Sequence, residues 1–533
     1  MAMMRSGMRM WRKRISPAFG MVLMLLAVAC VCGCTAPPVD NGGDSAGNSD
    51  ISVMKETIDR IISQERYRFS TWGAMARDTD SGEVLLSLNG DELFTPGSTT
   101  KVFTVATALD VLGPDYRFVT PVYQTGDNLV LVASGDLAMG GRAGPGDTLT
   151  YTNEDHVDAG AFGHCMLVEA DPLAGMQTLA QEVAASGVHT LGDVAIDDRL
   201  FREARLMDKG IVTPIVVNDN LIDVTIVPGA PGEPAAVDWR PKSSAYTVAN
   251  HVVTASAGSE MSVSIPDYSG QQVIEVDGVI PVDAGTVTLT SSVMVPSAFA
   301  RSLFIDALEN AGVAVDAPAA GQNPSGLLPE RGGYAAKMKI AELTSPPFSE
   351  YAKVTLKVSQ NLYANCLLGI IAAHEGYDMV DAGLYVEGEY LESVGVNSDT
   401  LLLVDGEGSI LNRISPRAGT ALTSAVAKLE NYNALKDAMP VLGVDGTLAT
   451  GAQPGDPGYG EIHAKTGTSV AGDQSGSLFV YSRGLLGYMT TERGTNLTFC
   501  IYVNNVPGLE SMDDLQGVVG DVNGVAVAMY AYF

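Results

Sequence analysis

The interval between Ser98 and Ser359 constrains this chain more than any other feature, because 261 positions separate two short polar motifs. The first is Ser98-Thr99-Thr100-Lys101 and the second is Ser359-Gln360-Asn361. A third, Lys465-Thr466-Gly467, follows nearer the C-terminus. Motifs that build one site have to meet in space, and a single compact catalytic domain needs no such interval. The middle of the chain is therefore expected to be an insertion, with the catalytic unit assembled from both ends. The length of 533 residues agrees, since about 150 residues per domain leaves room for two to four domains.

Each motif has a chemical use and a bland explanation. Pro96-Gly97-Ser98 reads as a helix start, with Ser98 in or beside the N-cap. Apolar residues at Val102, Val105, Ala106, Leu109 and Leu112 mark one helical face, and Gly113-Pro114 stops it. Ser98 and Lys101 then become neighbours over one turn. A serine hydroxyl is a weak nucleophile until a base takes its proton. A lysine kept neutral by burial or a nearby cation can be that base, and the helix N-terminus favours developing negative charge. A capping serine followed by a solvated lysine would give the same pattern.

Ser359-Gln360-Asn361 falls between helical stretches over 350–358 and 362–374. Its hydroxyl and amide suit a proton relay and a grip on a substrate amide, or simply a turn with Asn as helix cap. Lys465-Thr466-Gly467 lies in GEIHAKTGTSV, ahead of strand patterns at 477–481 and 496–503. Gly467 would let a substrate backbone lie close, while Lys465 and Thr466 suit a terminal carboxylate. In isolation this is an ordinary strand end.

In the order S-x-x-K, S-x-N, K-T-G, the three resemble the active-site set of serine β-lactamases and penicillin-binding proteins. Further landmarks over 51–533 narrow the likeness. They are Ala133-Ser134-Gly135-Asp136, LGDVAIDDRLF (191–201), VNDNLIDVTIVPG (217–229), a helix over 296–313, SQNLYAN (359–365), GVDGTL (443–448) and the stretch 485–505. Together they resemble D-Ala-D-Ala carboxypeptidase/endopeptidase penicillin-binding proteins of the penicillin-binding protein 4 type, which carry large insert domains. Three positions depart from that pattern. Asn365 stands where the family usually has Glu, Glu407 in DGEGSI (405–410) replaces a Ser, and His463 precedes the lysine motif.

The resemblance implies an α/β (α+β) fold, a serine β-lactamase/penicillin-binding-protein catalytic domain split by β-rich insert domains. Residues 51–115 and 325–533 would form the catalytic domain and 116–324 the insert, with a nested insert near 217–295. It implies a serine-type carboxypeptidase acting on peptidoglycan stem peptides without a cofactor, and acylated covalently by β-lactams. Ser98 would be the nucleophile and Lys101 its base. Ser359 and Lys465 would relay the proton, and Asn361 would orient the peptide. Thr466 and Gly467 would bind substrate, and the amide of Thr468 would join that of Ser98 in the oxyanion hole. The alternatives are a β-lactamase or esterase on the same fold and a non-catalytic wall-binding lipoprotein.

The N-terminus reads as an address. Arg5, Arg9, Arg12, Lys13 and Arg14 precede an apolar run over 19–31, too short for a membrane span of about 20 residues. Val31-Cys32-Gly33-Cys34 resembles a bacterial lipobox, with Cys34 the residue to be lipidated, and 35–50 (TAPPVDNGGDSAGNSD) reads as a flexible tether. A signal peptide over 1–34 and a lipid anchor would hold the enzyme at the cell envelope, in the periplasm or on the outer face of the cytoplasmic membrane. With 62 acidic against 32 basic residues, the net charge of −30 repels phosphate backbones and argues against nucleic acid. Cys165, Cys366 and Cys500 are too few and too scattered for a disulfide framework. The six histidines fit no zinc pattern. The single G-x-S-x-G, at 43–47, sits in the tether without the strand and helix of a nucleophile elbow.

Overall fold

The computed structural model describes residues 45–533 except 160–164, 206–209 and 269. The signal segment, Cys34 and the start of the tether lie outside the described residues. Helix α1 (Ser45–Ile62) takes in the end of the stretch expected as tether. Met54 and Ile58, one turn apart, bury in a core shared with Trp72 and Val522, so packing carries a helix back through polar residues.

Strands β1 (Thr71–Asp78) and β2 (Val84–Leu88) form a hairpin, and a 3-10 turn at Gly97–Thr100 leads into α2 (Lys101–Leu112). The spacing predicts one apolar face for α2, but the helix is buried on all sides, Phe103, Thr104 and Thr107 included. It is a central helix, whose polar threonines bond internally or to neighbouring carbonyls: Thr107 Oγ1 donates to Phe103 O at 2.9 Å and Thr104 Oγ1 to Gly406 O at 3.2 Å.

The insert follows. It comprises β3 (Val119–Thr125), β4 (Asn128–Val132), α3 (Ala174–Ala185), β5 (Val194–Asp197), β6 (Leu221–Val227), β7 (Ala236–Arg240), β8 (Thr247–Ala255), β9 (Ser262–Ser264), β10 (Val273–Pro281), β11 (Val287–Ser292), α4 (Pro296–Asn310) and β12 (Met338–Thr344). A four-stranded sheet runs β12-β3-β4-β5, and two three-stranded sheets, β11-β6-β7 and β9-β10-β8, are nested between β5 and α4. Because β12 pairs antiparallel with β3, with Leu343 opposite Thr120, the insert sheet closes at 344 rather than at the expected boundary of 324. Ala341 buries in the insert's own core and fixes that strand there.

The chain returns as α5 (Phe348–Lys357), α6 (Asn361–His374), α7 (Ala382–Ser393), α8 (Pro416–Val426) and α9 (Tyr432–Ala438). Strands β13 (Ile462–Gly472), β14 (Leu478–Thr490), β15 (Asn496–Leu509) and helix α10 (Met512–Tyr532) complete it. An antiparallel sheet orders β13-β14-β15-β1-β2, so the N-terminal hairpin pairs with the last strand, Met75 opposite Cys500. Its faces alternate along β15 from Leu497 to Val503, until left-handed Asn505 interrupts the strand. Cys500 and Tyr502 pack into the core containing α2, α5, α6 and α8, whereas Phe499, Ile501 and Val503 pack against α1 and α10. Helices thus cover both faces, and β13 is left outermost. Among the described residues no helix is long and apolar enough to cross a membrane.

Candidate active site

Three elements converge on Ser98: the turn before α2, the start of α6 and the outermost strand β13. Gly97 adopts φ +54, and a Cβ there would stand 2.9 Å from Thr468 N, so the turn can lie against β13 only with glycine. Gly467 answers it from the strand, where a Cβ would meet Pro96 O and stand 3.2 Å from Thr99 N. This close seating brings the amide of Thr468 beside the residue preceding Ser98.

Ser98 is not a helix cap. It lies inside the 3-10 turn, and its Oγ is 2.7 Å from Lys101 Nζ. The Lys101 side chain is fully buried and reaches two more acceptors, Asn361 Oδ1 at 2.6 Å and Glu407 O at 2.8 Å. Asn361 does not cap α6 either. That role falls to Gln360, whose Oε1 accepts from Leu362 N at 2.9 Å, leaving Asn361 free to face Lys101. Ser359 precedes it at φ +62, a left-handed conformation that turns the chain sharply between α5 and α6.

Lys465 is buried and donates to Thr466 O at 2.8 Å, and Thr466 Oγ1 sits 2.7 Å from Thr447 Oγ1. Thr468 accepts at Oγ1 from Arg483 Nη1 at 2.8 Å. Ser98, Lys101 and Asn361 are thus joined by direct bonds, Thr468 and Gly467 pack on the Ser98 turn, and Lys465 and Thr466 continue the same strand.

Several partners escaped the sequence reading. The Glu407 carbonyl is presented by a tight turn at 405–408, in which Asp405 Oδ1 accepts from the amides of Glu407, Gly408 and Ser409 at 3.1, 2.8 and 3.2 Å. Asn365, one of the three departures, is buried and accepts from Gly406 N at 3.1 Å, so it supports this turn. Arg483 lies directly across the β13–β14 pair from Thr468. Its burial draws the guanidinium down to about 10, and cross-strand register was the signal that could have found it. The turn GVDGTL is fastened to the end of α5, with Lys357 Nζ at 2.7 Å from both carboxylate oxygens of Asp445. His463 is held below its ordinary range by burial, then by the nearby charges of Lys436 and Lys357. Cys366 and Cys500 are buried thiols pushed up to about 12 by burial, and Cys165 is a partly exposed one.

A second polar cluster lies behind α6. Asp155, His156 and Asp219 bring ligand atoms within 4.8 Å of one another, the geometry of a metal site. The Arg142 guanidinium already fills the cationic position, bonded to Asp155 at 2.7 Å and to Asp219.

Residues 54–520 match the model of the D-Ala-D-Ala carboxypeptidase 3 (S13) family. The D-alanyl-D-alanine carboxypeptidase of Actinomadura sp. (strain R39) is 31% identical over 452 residues, covering 79% of this chain and 78% of that protein. D-alanyl-D-alanine carboxypeptidase DacB of Haemophilus influenzae is 22% identical over 469 residues, covering 83% and 87%. The crystal structure of penicillin binding protein 4 from H. influenzae superposes with a TM-score of 0.65 at 19% identity, over 90% of this chain and 99% of that one. The same protein has been solved in complex with a novel β-lactam, at a TM-score of 0.64 and 20% identity.

Proposed function

The chain belongs to the D-Ala-D-Ala carboxypeptidase 3 (S13) family and is a serine peptidase, and from that premise we propose how its residues divide the work on a peptidoglycan stem peptide ending in D-Ala-D-Ala. The observation that carries the proposal is the triangle of short contacts around Lys101 Nζ. Asn361 Oδ1 and Glu407 O can only accept, so a neutral Lys101 spends its two N–H groups on them. Its lone pair then points along the third contact, toward the Ser98 hydroxyl. Ser98 Oγ attacks the carbonyl between the two D-alanines as its proton passes to Lys101 Nζ.

The oxyanion forms against the amides of Ser98 and Thr468, each such donor being worth about 10²–10³ in rate. Asn361, with Oδ1 committed, offers the substrate only its NH2 group, which suits a peptide carbonyl. Lys465 and Thr466 hold the terminal carboxylate, and Ser359 relays the proton taken up by Lys101 to the departing D-alanine amine, receiving one as it gives one, so that Lys101 is neutral again when the C–N bond breaks. Water then attacks the acyl-serine and frees Ser98. A β-lactam enters the same first step, and its opened ring stays attached as the acyl group.

Lipidation of Cys34 and residence at the cell envelope are part of this reading, supported by the basic residues within 5–14, the apolar run 19–31 and the cysteine cluster. Cys34→Ser should leave the expressed protein without lipid mass and shift it from the membrane fraction.

The test of the chemistry is fluorescent penicillin with intact mass, run beside D-alanine release from a D-Ala-D-Ala peptide. Wild type should gain one adduct and release D-alanine, and Ser98→Ala should do neither. An adduct on Ser98→Ala would mean another nucleophile.

A further inference from the structure

The cluster behind α6 is built by two parts of the insert and ends on the S-x-N motif. Arg142, Asp155 and His156 come from the segment between β4 and α3. Asp219 and Asp223 come from the turn into β6 and from β6 itself, and Arg240 ends β7. Arg142 donates to Asp155 and Asp219, His156 lies 2.8 Å from Asp219 and 2.7 Å from Asp223, and Arg240 Nε donates to Asp223 at 2.9 Å. Three carboxylates thus face two guanidiniums and one imidazole. Burial alone would depress the imidazole, but the Asp223 charge, with hydrogen bonds to Asp219 and Asp223, raises it to about 10. The buried set is then electrically balanced, which is what lets so many charges leave water.

Two of its bonds leave the insert. Gln360 Nε2 donates to Asp219 Oδ2 at 3.1 Å and Tyr363 OH donates to Asp219 Oδ1 at 2.6 Å. Gln360 sits between Ser359 and Asn361, and its other amide atom caps α6. Asp219 is itself held unusually: Asn218, Asp219 and Asn220 all have φ between 50 and 54, three successive left-handed residues. Asn and Asp enter this region more readily than other residues with a Cβ because their side chains bond locally, and here Asn220 Oδ1 accepts from Val217 N while Asn218 Nδ2 donates to Leu221 O, which holds the run in place. Ser359, also left-handed at φ +62, is the strained residue at the receiving end.

We propose that Asp219 is a positioning residue for the reaction: its bonds to Gln360 and Tyr363 fix the left-handed turn at Ser359 and so aim Ser359 and Asn361 at the acyl centre. The proposal rests on the acyl-serine function above and gives the insert a catalytic consequence. Asp219 touches no reacting atom. It acts through Gln360, and an error of about 1 Å at Asn361 or Ser359 is enough to cost about 10²-fold in rate.

The experiment measures penicillin acylation over a concentration series, separating the maximal acylation rate from the prior non-covalent affinity, alongside thermal melting. Asp219→Asn should lower the maximal rate 10- to 100-fold with little change in prior affinity, and Asp219→Glu should recover part of it. Tyr363→Phe, which removes one bond and leaves every ion pair, should lower the rate about 3- to 10-fold. Asp155→Asn is the control, since it breaks the same buried network without touching Gln360 or Tyr363. It should lower the melting temperature while the rate of folded enzyme stays within twofold of wild type. A purely structural role predicts equal rate losses for Asp219→Asn and Asp155→Asn, or none for either, and each result overturns the proposal. If Asp219→Asn does not fold, Tyr363→Phe decides, and a rate within twofold of wild type refutes positioning. Failure of wild type to acylate would instead sink the proposed function itself.

Discussion

Gly408→Ala probes how the turn at 405–408 sets up Lys101. Gly408 has φ +105, a conformation that residues with a Cβ rarely adopt. A Cβ built there would stand 2.9 Å from Ser98 N and inside the contact distance of Gly97 O. Ordinary contacts begin near 3.4 Å, and both obstacles are backbone atoms of the turn that carries Ser98, so neither can swing aside. The 405–408 turn therefore has to recede by about 1 Å. Its Glu407 carbonyl accepts from Lys101 Nζ at 2.8 Å, and that retreat carries the bond past hydrogen-bonding range.

Lys101 then loses one of the two acceptors that orient its lone pair toward Ser98. A displacement of this size costs about 10²-fold in rate, or about 2.7 kcal/mol of barrier. The strained φ adds about 1–3 kcal/mol of lost stability. Stopped-flow acylation by a fluorescent penicillin, measured well below the melting temperature, reads the first number, and urea unfolding reads the second. Acylation within about threefold of wild type would refute the claim that this turn aims the base. A loss of stability with normal acylation would show that the turn relaxes away from Lys101 without moving it.

Glu387 is fully buried beside Thr104 of α2. Burial, with the Asp405 charge adding to it, raises its carboxyl to about 8 against a hydrogen bond from Thr104. Between pH 4.5 and 8 the folded protein holds a proton that the unfolded chain has released, so this group's contribution is full below 4.5 and lost as pH rises through 8. Glu387→Gln should flatten that fall, on the order of 3 kcal/mol, in urea titrations at pH 5 and 8. His156 has the same sign in a higher window: its contribution is full below 6.5 and lost as pH rises through about 10. His156→Gln should start less stable at pH 7 and lose less on going to pH 10, read by thermal melts. Asp445→Asn leaves the nearly buried Lys357 ammonium without its counter-charge and should destabilise by about 3 kcal/mol, measured by urea unfolding.

The proximity of the motif residues was legible because they are local in the chain. Ser98 and Lys101 share one helical turn, and Lys465, Thr466, Gly467 and Thr468 share one strand. Propensity and periodicity act over such distances. The partners that complete the site were not legible. Arg142 reaches Asp219 across 77 positions and Gln360 reaches it across 141, and no periodic signal links residues that far apart. The alternative in which Asn361 merely caps the helix gives way for a related reason. Gln at that corner is an unremarkable cap on propensity alone, and only the competing demand of Lys101 on Asn361 moves the cap back one residue. The insert boundary was missed because β12 pairs with a strand more than 200 positions upstream, and turn-rich sequence before it reads as the end of a domain rather than a loop inside one.

The bonds between insert and catalytic unit have a pattern that bears on why the insert is large. Asp136 accepts from Tyr351 OH at 2.6 Å on α5, Asp219 accepts from Gln360 and Tyr363 on either side of the α6 start, and Thr213 O accepts from Cys366 of α6. Asn153 accepts from Gly446 N at 2.7 Å, in the turn fastened to Lys357. These contacts fall on α5, α6 and that turn, the elements that present Ser359 and Asn361, while the exposed Arg202 and Arg331 reach Asp378 just beyond α6. Ser98 and β13, by contrast, are fixed by the catalytic unit's own glycine-to-backbone seating. The two halves of the site are therefore held by different means. Ser98 and β13 are set by the sheet and α2, whereas the corner at Ser359 and Asn361, with its strained Ser359, is braced from the insert. Where that brace ends on Asp219 it is rigid where an apolar contact would slide, because each bond has one geometry and Asp219 sits in a buried set of paired charges that is costly to unpair. The insert is thus expected to matter for the rate of acylation.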